Sequence, residues 1–258
     1  MSFRKPLGLP QNLPDEIGTI NAYWVAKDPL YQDQYEDAFE FAYYPSHHRI
    51  VLSIADGATD SVLSGEWARI LSRRLVNCPP RGKLLTNGWL RPARTEFTRS
   101  INYTALPWYA IEKLAAGSFA TLAGLDINLR TRRYIMRGIG DCIIAAVGSQ
   151  NDIQIFPKSL LARGAFTNSP DLIGTITTIR GHNVFPGYQK LDGQHTFFLM
   201  SDALADWFVQ RQMENREGAV QTLQNISSGD DLKALVNQER AAKRIKSDDT
   251  TLLRLHLH

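Results

Sequence analysis

The chain has 258 residues, 43% hydrophobic and 21% charged, a composition of folded globular chains rather than of disordered or fibrous ones. Its net charge of +3 is too small and too dispersed to mark a nucleic-acid surface, and no run approaches the roughly 18 apolar residues of a membrane span. Cys78 and Cys142 stand outside any CxxC arrangement, which argues against a cysteine zinc site and for a reducing compartment; with no signal-peptide core in residues 1–14, the expected location is cytoplasmic.

Residues 1–16 read as a Pro-rich arm and 17–258 as a single domain. Weak alternation over 17–25 and the aromatic run 38–44 predict strands, and the β-branched run 50–55 (IVLSIA) suits a strand buried on both faces. The last two form a hairpin through a turn at Pro45-Ser46-His47-His48-Arg49, whose histidines are expected in solvent. Trp67, Ile70, Leu71 and Leu75 share one face of a helix over 66–76, which Ser64 is placed to cap. A loop over 78–88 and two helical pieces within 92–114, divided at Pro107, come next. Strands follow at 120–126, 133–138, 142–147 and 153–156. Arg130, Arg132, Arg133 and Arg137 form the densest basic stretch, read as a solvated turn and strand face. Residues 163–186 are irregular, a length that usually marks a functional loop. A buried strand at 195–200, helices at 203–213 and 230–242 and a closing strand at 250–257 complete the chain. Trp67, Trp108 and Trp207 are expected in the core. Strands and helices come in blocks, which predicts an α+β fold with antiparallel sheets.

Acidic residues recur where strands end. Asp56 follows one buried strand and Asp202 another, Asp248 precedes the last strand, Asp141 sits in a turn between two, and Glu36-Asp37 precede the aromatic strand. Singly, each has a local explanation: aspartate forms turns, and Asp202 is placed to cap the next helix. Brought together, carboxylates repel one another and call for divalent cations, and an oxygen-only ligand set selects Mg²⁺ or Mn²⁺ over zinc. Two such ions generate hydroxide near neutral pH and neutralise phosphate oxygens in an in-line displacement.

The order of these motifs resembles the PPM (protein phosphatase 2C) family of metal-dependent serine/threonine phosphatases over about residues 18–256. The residues that carry the resemblance are Glu36-Asp37, Ala55-Asp56-Gly57, Gly117-Ser118-Phe119-Ala120-Thr121, Gly138-Ile139-Gly140-Asp141, Leu199-Met200-Ser201-Asp202 and Asp248-Asp249-Thr250-Thr251. The resemblance implies a four-layer α-β-β-α sandwich of two antiparallel sheets flanked by helices. It implies that Asp56 bridges two Mn²⁺ or Mg²⁺ ions, with Asp202 and Asp248 on one and the Gly57 carbonyl and Glu36 on the other. Asp37 would act through water or from behind the ligands, and Asp141 matches the position of a weaker third ion. Asp56, Asp202 and Asp248 would then be the catalytic set, a phosphorylated protein the substrate, and residues 163–186 a flap beside the site.

The chain departs from the family pattern in four places. Gln32 stands where the family often has a phosphate-binding Arg, Ala58 replaces a His of some members, the segment after Asp56-Gly57 is altered, and Ala203 follows Asp202. Gln cannot replace the charge or the bidentate fork of Arg. Arg69, Arg163 and Lys158 are substitute candidates, each also explained as a surface charge, and no substrate-binding residue is assigned. The alternative to a working phosphatase is a non-catalytic or regulatory binding protein on the same scaffold. A nuclease using clustered aspartates would need a positive groove, of which the charge gives no sign.

Overall fold

The computed structural model describes residues 13–28, 30, 34–80, 85–149, 152–163, 166, 170–177 and 188–258, apart from the side chains of Ala162, Arg163 and Arg216. Most of the expected N-terminal arm, Gln32, and parts of the expected flap lie outside the described residues.

Strands without a polar face organise the structure. β3 (Arg49–Ala55) and β11 (His195–Met200) are buried almost throughout, and each is an interior strand of a five-stranded antiparallel sheet. One sheet runs β1 (Gly18–Val25), β12 (Thr250–Leu257), β11, β7 (Ile143–Val147), β8 (Ile153–Phe156). The other runs β10 (Gln189–Lys190), β6 (Arg133–Ile139), β5 (Leu122–Asn128), β3, β2 (Ala38–Tyr44). Side chains alternate between faces along a strand, so β11 sends Phe197 and Leu199 into the layer between the sheets, where they join Leu52, Ile54 and Leu125. Its Phe198 and Met200 point the other way, into a layer with Leu204, Trp207 and Phe208 of α5 (Asp202–Glu214) and Leu232 and Val236 of α7 (Gly229–Ala241). Across the molecule, Trp67, Ile70, Leu71 and Leu75 of α1 (Ser64–Asn77) pack on the outer face of the second sheet with Val51 and Leu122. Three apolar layers thus separate helices, sheet, sheet and helices, which is the α-β-β-α sandwich expected.

The differences are local. The helix expected from Pro92 begins earlier, as α2 (Asn87–Ser100), because the Thr86 side chain accepts a hydrogen bond from the Trp89 amide and caps it. The second piece is α3 (Trp108–Ala115); its buried residues are Ala110 and Leu114, which turns Trp108 outward to 76% exposure, against the expected core position. Trp67 and Trp207 are buried, and His47 and His48 are exposed. Arg137 is not solvated but 4% exposed, since Asp126 lies on the same face of the neighbouring strand and pairs with it. The strand expected over 120–126 is two, β4 (Phe119–Ala120) and β5, and β4 pairs with β9 (Ile173–Gly174) inside the expected flap. The short α4 (Lys158–Arg163) and α6 (Arg216–Gln224) were not anticipated; Asn215 caps the latter by accepting from the Gly218 amide. Ser64 does not cap α1, because Leu63 holds the cap position with φ +59° and the serine hydroxyl is engaged elsewhere.

Candidate metal centre

The aspartates reach one place because the strands that precede them end at the same edge of the sandwich. Asp56 leaves β3 with its carbonyl held by the Thr121 amide at 2.8 Å. Gly57 then passes so close to α1 that a Cβ there would lie 2.7 Å from the Ser64 carbonyl carbon. Asp141 follows the β6 turn, where Gly140 takes φ +102° and a Cβ would meet the Thr121 side chain at 2.4 Å; both demands require glycine. Asp202 opens α5 just past β11, and the Ser201 hydroxyl, accepting from the Thr251 amide at 2.9 Å, ties that strand end to β12.

As a result, Asp56, Asp141 and Asp202 each offer a carboxylate oxygen within 4.8 Å of the others. Asp248 lines the same cavity, whose volume is about 660 Å³. Asp37 lies behind the cluster, 3% exposed, and accepts from the Thr251 hydroxyl at 2.6 Å, which is itself paired with the Tyr35 hydroxyl. Glu36 does not line the cavity: its carboxylate accepts from Ser64 Oγ, and its backbone amide donates to Asp249 at 2.7 Å. Asp249 also accepts from the Lys27 amide at 2.7 Å, so this carboxylate, left without a role by the sequence reading, fastens the acidic pair's segment to the start of β12.

The electrostatics are unfavourable as they stand. Burial first, and then the charges of Asp37, Asp202, Asp141 and Asp248, push the Asp56 carboxyl far above the carboxylate range. Burial raises Asp37 to about 8 and Asp141 to about 7, and it raises Asp202 despite the neighbouring Lys246. Oδ1 of Asp37, of Asp141 and of Asp202 is buried with no hydrogen-bond partner. Buried polar atoms are normally satisfied, so two orphaned carboxylate oxygens in the cluster and a third behind it fit a cation supplied from outside the chain. Among the described residues, the side-chain donors gathered here are carboxylates, with no imidazole. The nearby Cys142 is buried, its thiol pushed up by burial and in contact with Thr121 Oγ1 at 3.1 Å. This donor chemistry fits Mg²⁺ or Mn²⁺.

Two of the three expected phosphate-binding cations fall elsewhere. Arg69 pairs with Glu66 on the exposed face of α1 and Lys158 is exposed at the start of α4; neither lines the cavity. The side chain of Arg163 lies outside the described residues. Among the described residues, the basic ones that line it are Lys113 and Lys246. Lys246 donates to Asp202 Oδ2 and lies 3.3 Å from Asp248 Oδ2. Sequence reasoning passed over it, although its position two residues before Asp248 was a usable signal.

No family model matches the chain, and no curated protein matches it. Solved structures do. The catalytic domain of the serine/threonine protein phosphatase PstP, in complex with two manganese ions, is 15% identical with a TM-score of 0.59, covering 93% of this chain and 98% of its own. Stp1, a serine/threonine phosphatase from Staphylococcus aureus, is 16% identical with a TM-score of 0.56, covering 99% of both chains. RsbX in complex with magnesium is 12% identical with a TM-score of 0.54, covering 97% of this chain and 100% of its own. The fold is therefore that of the bacterial PPM-type serine/threonine phosphatases.

Proposed function

We propose that the chain is a metal-dependent phosphatase acting on phosphoserine or phosphothreonine in proteins, with residues 17–258 as one catalytic domain working in the cytoplasm. The observation that carries this reading is the set of carboxylate oxygens of Asp56, Asp141 and Asp202 within 4.8 Å, with Oδ1 of Asp141 and of Asp202 lacking a protein partner, at a cavity wide enough for a phosphorylated side chain. Asp56 would bridge two ions, Asp202 and Asp248 would complete one, and the Gly57 carbonyl with Glu36, partly through water, would hold the other. Asp141 would serve a weaker third, and Asp37 would set the charge behind them. Bound there, Mn²⁺ or Mg²⁺ supplies an acidic water and neutralises phosphate oxygens. The chain's own part is rigidity. The Thr251 hydroxyl holds the Asp37 carboxylate, the Thr121 amide holds the Asp56 carbonyl, and Ser201 ties the end of β11 to β12, by hydrogen bonds of 2.6–2.9 Å, so the backbone that carries the aspartates reorganises little on binding. The PstP and RsbX structures hold manganese and magnesium, and among the described residues no helix is long and apolar enough to cross a membrane.

The test is hydrolysis of an aryl phosphate and of a phosphothreonine peptide with Mn²⁺, with Mg²⁺ and with chelator. Metal-dependent turnover should fall by at least about 100-fold in Asp56→Ala; an unchanged rate removes the assignment. A second reading, a binding protein on the same scaffold, is motivated by Gln32 and Ala58 at positions where the resemblance expects catalytic groups. Tight Mn²⁺ binding with no turnover of any phosphoester would favour it.

A further inference from the structure

Among the described residues the cavity is dominated by carboxylates: Asp56, Asp60, Asp141, Asp202, Asp206 and Asp248 line it, against Lys113 and Lys246. Two divalent ions would contribute four positive charges to these six carboxylates, leaving two negative charges that the two lysines cancel. Without the lysines, a phosphate monoester would approach a site of its own sign. The position that would ordinarily hold a phosphate-binding Arg is Gln32, so the cation has to come from elsewhere.

Lys246 has the placement for it. Its backbone is fixed: Ile245 before it is 4% exposed, the Asp248 amide donates to the Lys246 carbonyl at 3.0 Å, and Arg240 donates to the Asp248 carbonyl. Its side chain is not fixed by packing, being 48% exposed. Its ammonium touches Oδ2 of Asp202 and Oδ2 of Asp248, the two carboxylates proposed to share one metal ion, so a divalent ion drawing on those oxygens would compete with it.

We propose that Lys246 is the phosphate-positioning cation of this site, held as the internal counter-ion of Asp202 and Asp248 until a divalent ion displaces it into the cavity. The proposal rests on the reading of the cluster as a phosphatase metal centre. It has two linked consequences. Metal binding at Asp202 and Asp248 works against an ion pair already made, so the lysine weakens metal affinity. The displaced ammonium, still tethered beside Asp248, then meets the phosphate and strengthens its binding.

The experiment pairs Lys246→Met, which keeps the aliphatic stem, with Lys246→Arg, which keeps the charge. Mn²⁺ binding is measured by titration calorimetry, and inorganic phosphate binding is measured on the Mn²⁺-saturated protein. Lys246→Met should bind Mn²⁺ about 3- to 10-fold more tightly and phosphate about tenfold more weakly, the loss of one charge-assisted hydrogen bond. With an aryl phosphate, KM should rise while kcat stays within about threefold, and Lys246→Arg should recover phosphate binding. Equal or weaker Mn²⁺ binding by Lys246→Met, or unchanged phosphate binding, overturns the proposal while leaving the metal centre standing. A wild-type protein that binds no Mn²⁺ overturns both.

Discussion

Asp126 lies on β5 and Asp56 just past the end of the adjacent β3, and the chain treats their charges in opposite ways. Asp126 is 5% exposed and doubly compensated: Arg49 grips it through Nε at 2.6 Å and Nη2 at 2.5 Å, and the buried Arg137 donates at 3.1 Å. Asp56 sits among four other aspartates whose charges oppose its ionisation, with Lys246 reaching only its neighbours. A carboxylate buried for structure carries its counter-charge in the sequence, here on the strands either side. A cluster left to orphaned oxygens and raised proton affinity stores a demand for cations that a ligand can meet. The same substitution at the two places should therefore have opposite effects on stability.

The largest effect is expected at the paired site. Asp126→Asn removes the charged acceptor to which the buried Arg137 donates, whereas Arg49, with a third of its side chain exposed, can turn to water. A loss of about 3 kcal/mol follows, the low end for breaking a buried pair. At roughly 2–4 °C per kcal/mol for a chain of this size, the melting temperature should drop by about 6–12 °C, with turnover per folded molecule unchanged. A drop below about 2 °C would mean that the triad is no more than a surface pairing.

Next is the pH dependence of the metal-free protein. Asp37, raised to about 8, and Asp141, raised to about 7, bind protons more tightly folded than unfolded. Folding therefore takes up protons, and stability falls as pH rises from the ordinary carboxylate range through 7 to 8. In chelator, the melting temperature should decline by several degrees between pH 5.5 and 8.5. Saturating Mn²⁺ should cancel or reverse that slope, because metal binding competes with those protons. A flat profile in chelator would show that the cluster is not held against its charge.

Much of this contrast was readable before any coordinates. Runs such as 50–55 and 195–200 have too few polar positions for anything but strands buried on both faces, and Asp56 and Asp202 follow directly at their ends. What was not readable depends on partners distant in sequence. Arg137 is one of four closely spaced arginines, and only the pairing of β5 with β6 sets it beside Asp126. Trp108 looks like core by type, but the buried face of α3 is set by Ala110 and Leu114. Ser64 has the chemistry of a helix cap and is claimed by Glu36, 28 residues away. Lys246 was missed because an isolated lysine carries no periodicity; its meaning comes from Asp202, 44 residues earlier.

Neutralising one member of the cluster should have a smaller effect of the other sign. Asp56→Asn removes a charge that its neighbours oppose, so the metal-free protein at pH 8 should gain about 1 kcal/mol, or roughly 2–4 °C. The same variant should lose the stabilisation that Mn²⁺ confers on the wild type. A destabilised Asp56→Asn in chelator would place Asp56 with Asp126, as a structural carboxylate.

The smallest effect tests the residue between these extremes. Asp37 has one oxygen satisfied by Thr251 at 2.6 Å and one without a partner. The threonine hydroxyl favours the ionised carboxyl, so it lowers a proton affinity that burial raises. Thr251→Val keeps the shape of a fully buried side chain and removes that donor. At pH 8.5, where Asp37 is largely ionised, the metal-free protein should lose about 1 kcal/mol. At pH 6 the protonated carboxyl no longer needs the donor, and the cost should fall below about half of that. A cost independent of pH would mean that Thr251 acts by packing alone, and that the charge on Asp37 is managed by a group other than this hydroxyl.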